Sequence, residues 1–296
     1  MTSQFNFNGV ISAMPTPFLN KAIDYTSLKR MLEFQLKNGI NGFVVNGTTA
    51  ESPTLTWSEV EKIYSLTREI AGQRVPIIVG TGSNSTDDTV EKTKKATDMG
   101  ADAALVVVPY YNKPPQRGLE AHFKAVAEST KMPIILYNVP GRTITAMTEE
   151  TILSLSKVQN VIGIKEASGD VVFDEKLKGH VPTDFVMLSG DDPTYFDFLK
   201  IGGNGLISVM SNLITAECAR WTELAKQNNW SEAESDFVKY KKFISMMYVE
   251  ANPIPLKWMM FKKGLFASPE MRLPLMTLDQ SYHAGISAEM QQLGII

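Results

Sequence analysis

Residues 161–168 read Val161-Ile162-Gly163-Ile164-Lys165-Glu166-Ala167-Ser168, a short apolar run that contains a lysine. A run of this length, rich in β-branched residues, is typical of a buried β-strand. Burying an unpaired ammonium is costly, so a lysine there either finds a charged partner or sheds its proton and becomes a nucleophile. Lys165 could instead be a strand-end residue that reaches solvent. Alternation along the strand puts Gly163 on the side of Lys165, where a small residue is expected to leave room for the lysine stem.

Similar apolar runs recur along the chain and alternate with segments of helical periodicity, such as residues 27–36 and 56–63. We count eight, at residues 10–14, 42–46, 75–80, 103–109, 134–139, 161–167, 185–189 and 206–210. Continuous apolar strands separated by single helices indicate parallel strands covered by helices. The sequence therefore predicts an α/β protein, a (β/α)₈ TIM barrel over residues 1–230. Helices expected at 231–250, 253–266 and 287–293 predict a C-terminal helical extension over residues 231–296.

Composition excludes several classes of protein. The 296 residues carry a net charge of −3, which argues against a nucleic-acid partner. The single cysteine, Cys218, and a start without a basic segment followed by an apolar one predict a cytoplasmic protein. No apolar run approaches the roughly 18 residues that span a bilayer, so no membrane association is expected.

In TIM barrels, catalytic residues follow the carboxyl ends of the strands, and here those positions are polar. They hold Thr48 and Thr49, Tyr110 and Tyr111, Tyr137 and Arg142, and Lys165. Taken singly, the threonines could cap a helix, the tyrosines could be rim aromatics and the arginine could lie on the surface. Packing alone, however, hardly explains a lysine with hydroxyls on neighbouring strands.

Other chemistries have little support in the sequence. His122, His180 and His283 lack the spacing of metal ligands, so no metal site is predicted. Residues 80–85 resemble a dinucleotide loop but lack its third glycine, and residues 202–205 could either admit a phosphate or end a helix. An unprotonated lysine can attack a ketone to form a Schiff base, from which proton loss gives an enamine. Tyr137, Thr48 and Tyr111 could relay the protons, and the hydroxyls of Thr48 and Thr49 could bind a keto-acid carboxylate.

Four motifs closely resemble the dihydrodipicolinate synthase and N-acetylneuraminate lyase family of pyruvate-dependent class I aldolases, in order and spacing over almost the whole chain. They are Gly47-Thr48-Thr49-Ala50-Glu51-Ser52, Pro109-Tyr110-Tyr111-Asn112-Lys113-Pro114, Tyr137-Asn138-Val139-Pro140-Gly141-Arg142-Thr143 and Gly163-Ile164-Lys165-Glu166-Ala167-Ser168. The third, with its arginine, is similar to the synthase branch rather than to the sialic acid lyases. Ala50 departs from the usual glycine, and its methyl group disfavours positive φ; we expect activity to be kept.

The resemblance implies a role for each site residue and no cofactor beyond the lysine adduct. Lys165 would form the Schiff base with pyruvate, Tyr137 would transfer protons, and Thr48 with Tyr111 would complete the relay. Thr49 and the backbone at Ile207 would hold the pyruvate carboxylate. Arg142 would bind the carboxylate of the second substrate, L-aspartate 4-semialdehyde. The product would be 4-hydroxy-tetrahydrodipicolinate, in lysine and diaminopimelate biosynthesis. Family members are usually homotetramers, dimers of dimers in which Tyr111 would cross the tight interface.

Many family members are inhibited by L-lysine at that interface, which implies a possible regulatory pocket in this chain. Its residues would be Ser52, Pro53, Trp57, Val60, Asn84, Asp88 and Tyr110. Regulated bacterial members carry histidine at Trp57 and Val60 and glutamate at Asp88, so we expect weak or absent inhibition.

Two other functions remain open from the sequence. A sugar-acid aldolase, such as an N-acetylneuraminate or 2-keto-3-deoxygluconate lyase, would use the same lysine chemistry, although Arg142 argues against it. A barrel that binds a metabolite without catalysis is the more remote alternative.

Overall fold

A computed structural model describes residues 5–296 of the chain. Residues 1–4 lie outside this range. They belong to the start of the chain, where the sequence lacks the basic and apolar segments of a secretion signal. The strands are β1 (Gly9–Ala13), β2 (Phe18–Leu19), β3 (Ala22–Ile23), β4 (Gly42–Val45), β5 (Ile77–Gly80), β6 (Ala103–Val107), β7 (Ile134–Asn138), β8 (Val161–Glu166), β9 (Val186–Ser189) and β10 (Gly205–Ser208).

Eight of these strands form a closed barrel in the order β1-β10-β9-β8-β7-β6-β5-β4. The TIM-barrel prediction is therefore confirmed, and the eight apolar runs become strands close to their predicted limits. The short antiparallel hairpin of β2 and β3 was not predicted, because two-residue strands are too short to show a period.

Helices follow the strands. They are α1 (Tyr25–Lys37), α2 (Trp57–Ala71), α3 (Thr86–Asp98), α4 (Gln116–Glu128), α5 (Pro140–Thr143), α6 (Glu149–Leu155), α7 (Val171–Lys178), α8 (Tyr195–Lys200), α9 (Thr215–Lys226), α10 (Trp230–Met246), α11 (Ile254–Lys262) and α12 (His283–Gln292). The last three correspond to the helices predicted after residue 230. None of the helices within residues 5–296 has both the length and the apolar composition needed to cross a membrane.

The chain divides into two compact units whose limits lie at other positions than residue 230. This division is a different one from the predicted division into a barrel and a helical extension, which stays a prediction. Unit 1 contains residues 5–9 and Pro76–Ile207, and unit 2 contains Val10–Val75 and Ser208–Ile296.

In unit 1, the parallel strands β5 to β9 pair in sequence order, with helices α3 to α7 between them and α8 after β9. The β7–β8 register shifts once: Ile134 pairs with Val161, but Ile135 pairs with Gly163. Ile162 is therefore an extra residue at the start of β8, and the strict alternation assumed from the sequence does not hold there. Beyond it the register is regular up to the end of the strand, which fixes the pairs on which the candidate site rests.

Unit 2 contains the parallel pair of β1 and β4, the β2–β3 hairpin, and helices α1, α2 and α9 to α12. Helix α2 begins at Trp57 because Thr56 and Glu59 form a reciprocal capping box, in which each side chain accepts a hydrogen bond from the other's backbone amide. Between β4 and α2, residues Thr48–Ala50 form a short 3₁₀ turn. This turn carries two of the predicted site residues.

Candidate active site

Lys165 and Tyr137 lie directly opposite each other on the paired strands β8 and β7. The Lys165 Nζ atom is 4.3 Å from the centroid of the Tyr137 ring. Both residues are buried, with 7% and 6% of their surface exposed, so Lys165 does not extend into solvent. Unit 1 therefore holds a buried amine against a buried phenol, as the Schiff-base hypothesis requires.

The next pair on the same two strands is polar as well. Asn138 donates from Nδ2 to Glu166 Oε2 at 2.8 Å, and the Ser168 amide donates to Glu166 Oε1 at 2.8 Å. Asn138 Oδ1 in turn accepts from the Met147 amide. Burial raises the pKa of the Glu166 carboxyl, and the hydrogen bonds from Asn138 and Ser168 oppose that rise. This pair fixes the strand ends beside Lys165; sequence reasoning missed it, although Asn138 and Glu166 interrupt their apolar strands as Lys165 does.

Gly190, directly after β9, leaves the space that the lysine stem occupies. A Cβ atom added at Gly190 would lie 2.7 Å from Lys165 Cε, 3.1 Å from Lys165 Cγ and 2.6 Å from Ala167 Cβ. The expectation for Gly163 was wrong, because a Cβ there would instead meet the Val186 carbonyl oxygen at 2.3 Å. Gly163 is required by the close approach of β9, and Gly190 by the lysine.

Arg142 and Tyr111, also in unit 1, are both exposed. Arg142 lies on the short helix α5, which follows β7; the Thr143 hydroxyl donates to the Val139 and Thr145 carbonyls and so stabilises this turn. The Tyr111 residue is 88% exposed and its backbone φ is +75°. Within this single chain, Tyr111 is therefore not buried as Tyr137 is. Ile207, the remaining predicted residue of unit 1, lies in β10 and is 1% exposed.

Thr48 and Thr49 belong to the 3₁₀ turn of unit 2. The Thr49 hydroxyl oxygen accepts a hydrogen bond from Asn252 Nδ2 at 2.9 Å, which leaves its own hydrogen available for a ligand. Ala50 fits the turn without strain, because positive φ angles occur at Asn46 and Glu51 and not at Ala50. The substitution of alanine for the usual glycine therefore does not distort this turn.

The residues that suggested other chemistries have ordinary structural contacts. No group of three or more His, Cys, Asp or Glu side chains within residues 5–296 could hold a metal ion. His122 is buried against the Thr86 hydroxyl, and burial lowers its pKa to about 4. Gly202, which follows the C-cap residue Ile201 of α8, has a φ of +86°, and a Cβ at Gly203 would overlap the Phe198 ring. The glycines at 202–205 thus serve helix termination and close packing.

The residues predicted to form a regulatory pocket divide between the two units. Ser52, Pro53, Trp57 and Val60 belong to unit 2, whereas Asn84, Asp88 and Tyr110 belong to unit 1. On α3 the Asp88 carboxylate accepts a hydrogen bond from Lys92 Nζ at 2.7 Å. The carboxylate that would meet a lysine ligand therefore already has a cationic partner.

Comparisons with known proteins agree on one family. The family model described as the dihydrodipicolinate synthetase family matches residues 6–293. The 4-hydroxy-tetrahydrodipicolinate synthase of Bdellovibrio bacteriovorus is 50% identical over 291 residues, which cover 98% of this chain and 99% of that protein. The chloride-inhibited dihydrodipicolinate synthase of Acinetobacter baumannii, solved in complex with pyruvate, superposes with a TM-score of 0.96 at 38% identity and covers 98% and 100% of the two chains. A monomeric dihydrodipicolinate synthase variant superposes equally well, with a TM-score of 0.96 at 37% identity and 98% coverage of both chains.

Proposed function

The chain belongs to the dihydrodipicolinate synthetase family, and on that premise we propose that Lys165 is the residue that forms a Schiff base with pyruvate. The enzyme is a lyase that condenses pyruvate with L-aspartate 4-semialdehyde to 4-hydroxy-tetrahydrodipicolinate, in lysine and diaminopimelate biosynthesis. The observation that carries the assignment of Lys165 is its burial against the Tyr137 ring, 4.3 Å from Nζ to the ring centroid. The relatives' names support this reaction rather than the sugar-acid lyase alternative.

The reaction begins when the unprotonated amine of Lys165 attacks the C2 carbonyl of pyruvate. Loss of water gives an imine, and loss of a proton from C3 gives the enamine. The enamine carbon attacks the aldehyde and forms the new C–C bond. The amino group of the second substrate then displaces Lys165 from the imine, which closes the ring and regenerates the free lysine. Because the imine nitrogen accepts the electron pair released at C3, we propose that no metal or organic cofactor takes part.

Each of the remaining site residues has a proposed role. Tyr137 transfers protons to and from the forming imine, because it is the phenol beside the amine. Thr48 and Tyr111 extend this proton relay. The Thr49 hydroxyl and the backbone at Ile207 bind the pyruvate carboxylate. Arg142, exposed on α5, binds the carboxylate of the aldehyde, for which a guanidinium offers two parallel hydrogen bonds.

We also propose that the enzyme is a homotetramer, a dimer of dimers in which Tyr111 enters the site of a second copy. The support is the 88% exposure of Tyr111 on a backbone with positive φ, an arrangement suited to reaching another chain. Sedimentation velocity at working concentration is the test, with a tetramer expected. A fully active monomer would contradict the role given to Tyr111. The cytoplasmic location stays a prediction from the sequence.

A direct assay tests the proposed reaction. Purified enzyme is incubated with pyruvate and L-aspartate 4-semialdehyde, and the product is reduced in a coupled assay that consumes a nicotinamide cofactor. In parallel, N-acetylneuraminate and 2-keto-3-deoxygluconate are offered as substrates for cleavage. Turnover is expected only with the semialdehyde; preferential cleavage of a sugar acid would overturn the proposal.

A further inference from the structure

Unit 2 contains a second buried lysine, which the reaction described above does not use. Lys257 on α11 is fully buried, and its Nζ atom lies 2.6 Å from Glu51 Oε1. The Glu51 side chain is likewise 0% exposed. The Lys257 ammonium also lies 4.2 Å from the centroid of the Phe18 ring. A complete ion pair is therefore enclosed in the interior of the unit.

Such a pair is a poor source of stability, because desolvating two charges costs about as much as their attraction returns. Replacing a buried pair with apolar residues of similar volume is often neutral or stabilising. The position of Glu51 suggests another purpose, since it directly follows the 3₁₀ turn that carries Thr48 and Thr49. Its backbone is left-handed, with φ +59° and ψ +40°, an unfavourable conformation for a residue other than glycine.

Several contacts hold this turn in place. Glu51 Oε2 accepts a hydrogen bond from the Arg272 amide at 2.9 Å, while Oε1 meets Lys257. The Arg272 guanidinium in turn binds both carboxylate oxygens of Glu59. The carbonyl of Ala50 accepts from the Thr16 hydroxyl at 2.8 Å. The carboxylate of Glu51 is thus held from two sides, and its left-handed backbone conformation is fixed with it.

The segment that supplies Lys257 also reaches the turn a second time. Asn252, just before α11, donates from Nδ2 to the Thr49 hydroxyl oxygen. A hydroxyl oxygen that accepts a hydrogen bond from one side points its own hydrogen to another side, where it can donate to a ligand. Residues 252–257 therefore make two contacts with the same segment: Asn252 orients the Thr49 hydroxyl, and Lys257 holds the side chain of Glu51, two residues further on.

We propose that Asn252, Lys257 and Glu51 are positioning residues for pyruvate, which hold the Thr48–Glu51 turn so that the Thr49 hydroxyl donates to the keto-acid carboxylate. This inference rests on the role proposed for Thr49. It implies that loss of the pair weakens pyruvate binding more than it weakens use of the aldehyde. If the pair were purely structural, its loss would lower Tm but leave the ratio of the two KM values unchanged.

The test compares Glu51→Gln, Lys257→Met, the double variant and Asn252→Ala with the wild type. Burial already lowers the pKa of Lys257 to about 8, so Lys257 can shed its proton once the Glu51 charge is removed, and we expect Glu51→Gln to fold. Asn252→Ala leaves the ion pair intact and therefore tests the turn if Lys257→Met does not fold. Asp236→Asn is the matched control: it removes a largely buried carboxylate of α10 that accepts from Trp221 Nε1 and pairs with Lys239.

Four quantities are measured for each variant: Tm, the KM for pyruvate, the KM for the aldehyde, and the pyruvate concentration that half-saturates borohydride trapping. For every variant of the positioning residues we expect the pyruvate KM and the trapping concentration to rise about tenfold, the change that loss of about one hydrogen bond to the carboxylate produces, with the aldehyde KM changing less than about threefold. The double variant should regain Tm relative to Lys257→Met, because no charge is left unpaired, but it should keep the high pyruvate KM.

Two results would overturn the inference. One is a pyruvate KM that stays within twofold of the wild type in Glu51→Gln and Asn252→Ala. The other is a double variant whose pyruvate KM recovers together with Tm. Failure of the proposed function itself is seen separately, because wild type and Asp236→Asn would then trap no pyruvate at all.

Discussion

Gly190→Ala should reduce catalysis by displacing Lys165. The added methyl carbon would lie 2.6 Å from Ala167 Cβ and 2.7 Å from Lys165 Cε, whereas carbon atoms pack at about 3.5–4.0 Å. The neighbouring groups must therefore move by roughly 1 Å. The lysine tip can rotate away. Ala167 Cβ cannot, because it is bonded to the backbone directly after β8, and Lys165 Cγ, 3.1 Å from the added carbon, lies close to the backbone of β8 itself.

The expected losses follow from that displacement. Overpacking of this kind costs about 1–3 kcal/mol of stability, and misplacing a reacting group by about 1 Å lowers kcat by about 10²-fold. The assays are the steady-state kcat and the single-turnover rate of borohydride trapping with pyruvate. Gly118→Ala is the control, since its added Cβ meets nothing closer than 3.4 Å. An unchanged trapping rate in Gly190→Ala would refute the argument that this glycine makes room for the lysine.

Further outcomes are expected from other changes. Tyr137→Phe should lower kcat by about 10²–10⁴-fold through loss of a proton carrier, and normal kcat in that variant would remove Tyr137 from the mechanism. Arg142→Ala should raise the aldehyde KM while pyruvate trapping continues. An unchanged aldehyde KM would mean that another residue binds the carboxylate of the aldehyde. L-lysine should inhibit weakly or not at all, because Asp88 already binds Lys92. Strong inhibition by L-lysine below about 1 mM, roughly the concentration of a cellular metabolite, would contradict this expectation. Burial, with the nearby Glu166 charge, raises the pKa of Asp174 from 3.8 to about 7. Between these two pH values the folded state keeps a proton that the unfolded chain loses, so the stability of the fold falls as the pH rises from 3.8 to about 7. Asp174→Asn should therefore raise Tm by at least about 2–4 °C at pH 8, with a smaller gain at pH 5; equal gains at the two pH values would contradict the shift.

The fold was predictable because each barrel strand is a continuous β-branched run, and that signal is local. The extra residue Ile162 was not predictable, since register depends on how two distant strands meet. The assignment of free space to Gly163 failed for a related reason: alternation along one strand does not say what the next strand brings close. Lys165 and Tyr137 could be found as polar residues in apolar strands, and their register pairing places them together.

The support behind the site was far less visible in the sequence. Lys257 and Glu51 are 206 residues apart, and nothing local in either segment indicates that they meet. The same is true of Asn252 and Thr49. Motifs therefore identified the groups proposed to contact the substrate, while the contacts that position them emerged only from the folded chain.

The most direct measurement of the central claim is the site of covalent trapping. The enzyme is incubated with pyruvate and borohydride, digested and sequenced by mass spectrometry, with Lys165→Met and Lys257→Met treated in parallel. We expect one reduced pyruvyl adduct per chain, on Lys165, which is absent from Lys165→Met and still forms in Lys257→Met at high pyruvate. An adduct on any other lysine, or no adduct in an enzyme that condenses the two substrates, would contradict the account.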